Sequence, residues 1–271
     1  MNMWNCGNIP KIFFGYWMTE EFPFIRWLTL KTFREHHPDW RMILYRTKVL
    51  QNYGNDYTGK SYWDRLDELD IEVIEMDVED RLGVQFPLRY CTIYADTMRY
   101  IALHEHGGCY VDLDNIFFRA VEDMPWNKPG NADKNGFILS PPYHHILFGA
   151  PGLDFYTRVL NAQKSILSGD PSKILDTTGC TMNISRSPEE KILMLPLVTT
   201  EENFGSDGPK SGYALALNWH GSGSYGKYQA VTEENYMTSD HPLAACVRFS
   251  LEGDMGRSNG IDDVVWIERG E

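Results

Sequence analysis

Between Cys91 and Asp114 the chain changes its period once, and that change constrains the fold more than any other stretch. Cys91, Tyr94, Ala95, Met98, Ile101 and Ala102 recur at steps of three and four, the spacing of one apolar helix face. Gly107-Gly108 then ends the helix, and Cys109-Tyr110-Val111 is a β-prone run leading into Asp112-Leu113-Asp114. If the strand continues to Asp114, the carboxylates of Asp112 and Asp114 share one face while Leu113 points into the core. In an open α/β sheet, the place just past the carboxyl end of a strand is where ligands bind. Asp96 and Arg99, three residues apart, are neighbours beside the apolar stripe and can hold each other while facing a ligand.

Two converging carboxylates repel, and a divalent cation offsets that repulsion. Hard oxygen ligands suit magnesium or manganese, which keep positions open for a substrate's phosphates. A solitary Asp-x-Asp is more simply the turn-forming end of a strand. Here it stands with Asp96, Arg99, Gly107-Gly108 and the aromatic Tyr110, and the whole run resembles the DXD-containing sugar-binding region of family 32 glycosyltransferases. That resemblance implies a GT-A fold, a nucleotide-sugar donor, a divalent metal and retention of anomeric configuration. It assigns Asp112 and Asp114 to the metal and Asp96 and Arg99 to the donor sugar. Gly108 is counted with the nucleotide contacts.

The rest of the chain reads as alternating strand and helix. Ile9 to Trp17 is a first buried strand, Phe22 to Phe33 a helix, Trp40 to Tyr45 a strand, Ser61 to Leu69 a helix and Ile71 to Met76 a strand. Asp80 to Leu88 reads as a loop. Later come a strand at Phe137-Ile138-Leu139, a helix near Leu153 to Leu167, and strands at Lys191 to Val198 and Tyr213 to Leu217. Such alternation predicts an α/β domain with a Rossmann-like, mostly parallel central sheet flanked by helices. With 271 residues, one GT-A type domain is expected, with 1–118 as the nucleotide-sugar half and 119–271 as the acceptor-side half with a late metal and diphosphate loop.

The opening Ile9-Pro10-Lys11-Ile12 segment closing on Trp17 also resembles the family, with Phe14 where a histidine is usual. Phe14 and Trp17 are therefore expected near the nucleotide, Trp17 against the base or ribose. Thr177-Thr178-Gly179-Cys180 resembles a family turn with cysteine in place of proline. Near the end, His220 followed by Gly223-Ser224-Tyr225 resembles the family's late histidine and glycine-serine-tryptophan. His220 is thus expected as a third metal ligand, and Ser224, Tyr225 and Lys227 as diphosphate contacts on a glycine-rich flap.

A net charge of −13 argues against a nucleic-acid partner, which clustered lysine and arginine would be needed to bind. No apolar run approaches the roughly 18 residues of a membrane span, and five scattered cysteines fit a reducing compartment, so a cytoplasmic protein without a membrane segment is expected. Gly221 to Gly226 satisfies G-x-G-x-x-G, but no helix start or downstream acidic strand residue supports a dinucleotide site. His104, His106 and Cys109 lie on different faces and do not make a zinc site. His36-His37 and His144-His145 read as loop or surface histidines. The expected activity is transfer of a sugar from a UDP- or GDP-sugar to a hydroxyl of a glycan, lipid or protein. The alternative is a non-catalytic sugar- or cation-binding domain. Hydrolysis by the aspartate pair is disfavoured, because glycosidase carboxyl groups stand roughly 5 to 9.5 Å apart.

Overall fold

The structure, a computed structural model, describes residues 9–47, 59–86, 91–124, 127, 136–139, 145–169, 191–194, 198–199, 204–205, 208–209, 215–219 and 230–252. In chain order the elements are β1 (Ile12–Trp17), α1 (Phe24–His36), β2 (Arg41–Arg46), a 3-10 helix (Trp63–Leu69), β3 (Ile71–Glu75), α2 (Val78–Leu82), α3 (Cys91–His106), β4 (Gly108–Val111) and β5 (Asn115–Phe117). After a 3-10 turn at Val121–Asp123 come β6 (Gly136–Leu139), β7 (Ile146–Gly149), α4 (Asp154–Gly169), β8 (Lys191–Met194), β9 (Val198–Thr199), β10 (Phe204–Gly205), β11 (Gly208–Pro209), β12 (Ala216–Asn218) and α5 (Pro242–Glu252).

The main sheet runs β3-β2-β1-β4-β7-β6-β8. Its first four strands are parallel, β7 is antiparallel to both neighbours, and β6 and β8 are parallel. This is the mostly parallel, helix-flanked sheet expected. From β1 the chain winds outward through β2 and β3, then returns to place β4 on the other side of β1. The carboxyl ends of β1 and β4 therefore flank a topological switch point, the crevice where open α/β sheets take ligands. Trp17 ends one strand and Asp112 follows the other.

Strand alternation divides the core in two. Phe13, Met42, Leu44, Cys109 and Val111 pack with α1, α5 and the small sheet β5-β12-β9; Phe14, Ile43, Tyr45, Tyr110 and Leu147 pack with α2, α3 and α4. The stripe expected on α3 is buried as read: Tyr94, Met98, Ile101 and Ala102 face the second cluster, with Ala95 packed against it. The helix stops where expected, with Gly107 at φ +64° and its N–H bonded to Leu103 O at 2.9 Å.

Three expectations need correction. The segment from Asp80 is not all loop: α2 forms there, capped by the Asp77 side chain, which accepts from Asp80 N–H at 3.0 Å. One helical turn is too short to show a period. β4 ends at Val111, and Asp112-Leu113-Asp114 is a turn into β5 of the small sheet. His37 is not a surface residue but wholly buried: Val121 N–H donates to its Nε2 at 2.8 Å, so Nδ1 carries the proton and donates to Phe33 O at 2.9 Å.

Burial holds His37 down to about 4, because charging it would strand a proton on Nε2 against the Val121 N–H. A folded value below the unfolded one near 6.5 means stability that is present above pH 6.5 and is lost as pH falls toward 4. The loss is about 2–3 kcal/mol at roughly 1.4 kcal/mol per unit. Urea unfolding at pH 7 and pH 4.5 should show this loss in the wild type, and a correspondingly smaller one in His37→Gln, which keeps a donor and an acceptor without titrating.

Candidate donor and metal site

The aspartate turn is gripped from four elements. Asp112 N–H donates to His145 O at 2.8 Å, Thr29 Oγ1 of α1 donates to Leu113 O at 3.0 Å, and Asn115 Nδ2 donates to Asp112 O at 2.7 Å. From the end of β12, Asn218 Nδ2 donates to Asp114 Oδ1 at 2.8 Å and Trp219 N–H to Asp114 O at 3.0 Å. Leu113, buried in the core, anchors the turn between the two aspartates. The carboxylates therefore converge through a held turn rather than through strand alternation.

Asp112 is surrounded by donors. Tyr110 OH donates to Oδ1 at 2.6 Å, Arg99 Nη2 lies 3.2 Å from the same oxygen, and His145 Nδ1 lies 3.1 Å from Oδ2. The carboxylate cannot donate, so Nδ1 of His145 carries a proton there. Arg99 reaches Asp96 Oδ1 at 2.6 Å and its guanidinium stands 4.6 Å from the centre of the Tyr110 ring. The pairing expected of Asp96 and Arg99 is present, and the arginine also ties them to Asp112.

These contacts set the charge of the site. Burial pushes Asp112 up, but Arg99, His145 and Tyr110 outweigh it and hold the carboxyl below its ordinary range. Burial pushes Asp96 up to about 6 against the pull of Arg99. Its Oδ2 is buried and has no hydrogen-bond partner among the described residues. His145 is lowered by burial but raised further by Asp112.

Asp112, Asp114 and His145 each offer a ligand atom, all within 4.8 Å of one another. Bonds of about 2.1 Å separate trans ligands by about 4.2 Å, so small side-chain adjustments would close this set on an octahedral cation. The donor chemistry, two carboxylates and a neutral imidazole, fits a divalent ion. No other such group occurs among the described residues.

His145 is the residue that sequence reasoning missed. It lies 33 positions from Asp112 and carries no spacing signal. The antiparallel register of β4 and β7, which pairs Val111 with Ile146, sets it opposite Asp112. Only the pairing of β7 could have revealed it, and that strand was not read.

Two expected nucleotide contacts serve the fold instead. Phe14 is fully buried, its ring 5.9 Å from those of Tyr45 and His106, because residue 14 faces α3. Gly108 opens β4, about 13 Å of strand from Asp112 at roughly 3.3 Å per residue. Glycine is required there for another reason: φ is +114° and a Cβ would lie 2.5 Å from Ile12 O. Trp17 is at the switch point, partly exposed, with its Nε1–H donated to Glu21 O at 2.8 Å. His220, Ser224, Tyr225 and Lys227, and the Thr177 to Cys180 turn, lie outside the described residues.

Residues 26–131 match the family described as the glycosyltransferase sugar-binding region containing the DXD motif. The matched span holds most of α1, all of α3 with Asp96 and Arg99, and the aspartate turn. No curated relative matches the sequence. Among solved structures, the chain is similar to the PaToxG glycosyltransferase (15% identity, 65% of this chain, 69% of that one, TM-score 0.47). It is also similar to the galactosyltransferase LgtC in complex with donor and acceptor sugar analogues (11% identity, 88% and 94%, TM-score 0.44). A third is the glycosyltransferase GlyE of Streptococcus pneumoniae TIGR4 (11% identity, 90% and 60%, TM-score 0.48). No helix among the described residues is long and apolar enough to cross a membrane.

Tyr110→Phe keeps the ring under Arg99 and deletes one donor to Asp112. The Asp112 carboxyl should then titrate at a higher pH than in the wild type, measured by carbon NMR of the labelled carboxyl group, with the fold retained.

Proposed function

We propose that the chain is a metal-dependent, retaining glycosyltransferase that moves a sugar from a nucleoside-diphosphate sugar, UDP- or GDP-linked, to a hydroxyl of a glycan, lipid or protein. The observation that carries this reading is the convergence of Asp112, Asp114 and His145 at the sheet's switch point, joined through Arg99 to Asp96. Manganese or magnesium would be held by Asp112, Asp114 and His145, and would offset the charge developing on the departing diphosphate. His220 is proposed as a further ligand. Asn218 and Trp219, the two residues before it, both bond Asp114, which supports this.

The protein's own groups then have defined tasks. Asp96 and Arg99 read sugar hydroxyls: Arg99 is fixed in direction by two carboxylates, and the Asp96 Oδ2, without a partner among the described residues, can accept from a hydroxyl. Trp17 offers a ring to the base or ribose at the end of β1. Ser224, Tyr225 and Lys227 are assigned to the diphosphate. Departure and attack on the same sugar face need no carboxylate nucleophile, which accords with retention. A reducing, cytoplasmic setting accords with the scattered spacing of the five cysteines. We assign 1–118 to the nucleotide-sugar half and 119–271 to the acceptor-side half of one GT-A domain.

Incubation with a panel of nucleotide sugars, with manganese, magnesium or chelator, should give metal-dependent release of a nucleoside diphosphate from one donor, and proton NMR should show a product with the donor's anomeric configuration. Asp114→Asn should abolish turnover while leaving the thermal midpoint close to wild type. No release from any donor would favour a binding domain, and an inverted anomer would remove the retaining assignment.

Asp96→Ala should weaken the intact donor at least tenfold, as loss of a charged hydrogen bond of about 1.5–3 kcal/mol implies. It should leave free nucleoside diphosphate within about twofold by calorimetry. Equal losses for both ligands would make Asp96 a support for Arg99 rather than a reader of the sugar.

A further inference from the structure

α1 is mostly apolar, yet Arg26, Thr29 and Thr32, spaced by three, are all buried. Residues at this spacing share a helix face. Each meets the small sheet or its turn: Thr32 Oγ1 accepts from Phe117 N–H of β5 at 3.2 Å, Thr29 Oγ1 donates to Leu113 O at 3.0 Å, and the Arg26 guanidinium lies 4.5 Å from the centre of the Trp219 ring. Arg26 also lies 4.9 Å from the centre of the Trp17 ring. The guanidinium is planar and delocalised, so it can stack flat on aromatic faces, a geometry an ammonium lacks. Trp17 ends β1, Arg26 is in the first turn of α1, and Trp219 follows β12. Three elements from both sheets are thereby joined at the ligand end of the main sheet.

Trp219 is fully buried, and its N–H and the side chain of Asn218 are what hold Asp114. We propose that Arg26 is a positioning residue of the donor site, clamped between Trp17 and Trp219 so that the end of β12 keeps Asp114 turned toward Asp112 and His145. This rests on the metal reading given above and adds to it the element that sets the third dimension of the ligand cluster. Desolvated cation–π pairs contribute about 2 kcal/mol, close to a factor of 30 if wholly transmitted to the site. Partial transmission gives the expected effect of about tenfold.

The test measures Mn²⁺ binding directly, by electron paramagnetic resonance of the free ion, together with the thermal midpoint, in the wild type, Arg26→Met, Arg26→Lys, Trp219→Leu, Trp219→Phe and Asp114→Asn. Arg26→Met and Trp219→Leu should each weaken Mn²⁺ binding about tenfold, and the double variant should be no weaker than the poorer single, since both remove one clamp. Trp219→Phe, which keeps a ring face, should stay within about threefold of the wild type. Arg26→Lys keeps the charge without the planar face, should weaken binding like Arg26→Met, and serves if the methionine variant does not fold. Wild-type binding in Arg26→Met or Arg26→Lys, with binding lost in Asp114→Asn, would overturn the clamp alone. Equal binding in the wild type and Asp114→Asn would overturn the metal reading and the clamp with it.

Discussion

Asp112 is a carboxylate held at the edge of a packed interior, and its ionisation is the condition on which the site depends. Burial alone would raise its pKa. Arg99, Tyr110 and His145 reverse that preference, and each comes from a different direction: Arg99 from α3, Tyr110 from two residues earlier on β4, and His145 from just before β7. The charge is thus stabilised by groups that cannot move independently, since each sits on or directly beside an element packed into the second core cluster or paired with β4. Arg99 in turn carries Asp96, so the acid assigned to the sugar and the acid assigned to the metal share one cation.

The second aspartate is managed differently. Asp114 is held by an amide and a main-chain N–H from β12, which fix its position. The aspartates occupy a turn between two sheets. A continuous strand would place both carboxylates under the same neighbours, whereas the turn lets the main sheet hold the first and the small sheet hold the second.

The same division runs through the fold. The parallel strands β3-β2-β1-β4 build the switch point, and the antiparallel return of β7 closes it on one side with His145. α1 closes the other side with its buried polar stripe. Polar groups inside an apolar interface cost stability unless paired, and Thr29 and Thr32 are paired with the aspartate turn and with β5. Those bonds join the site to the core.

Local periodicity determined much by itself. The α3 stripe, the stop at Gly107, the alternating strands on either side of α1 and the Asp96–Arg99 pair follow from side chains close in sequence, whose directions helix and strand geometry dictate. The family resemblance rested on that same contiguous run, which is why the sugar-binding region was legible. What sequence could not reach depends on pairings across long separations. His145 opposes Asp112 only because β7 runs antiparallel to β4, and no residue near either one encodes that register. His37 is buried only because the segment at Val121 returns to α1. Phe14 is a core residue because the face of β1 it occupies is covered by α3, and Asp114 lies on a turn because β5 leaves the main sheet for β12. In each case the deciding partner is supplied by packing, which chooses among the local conformations that the residues alone allow.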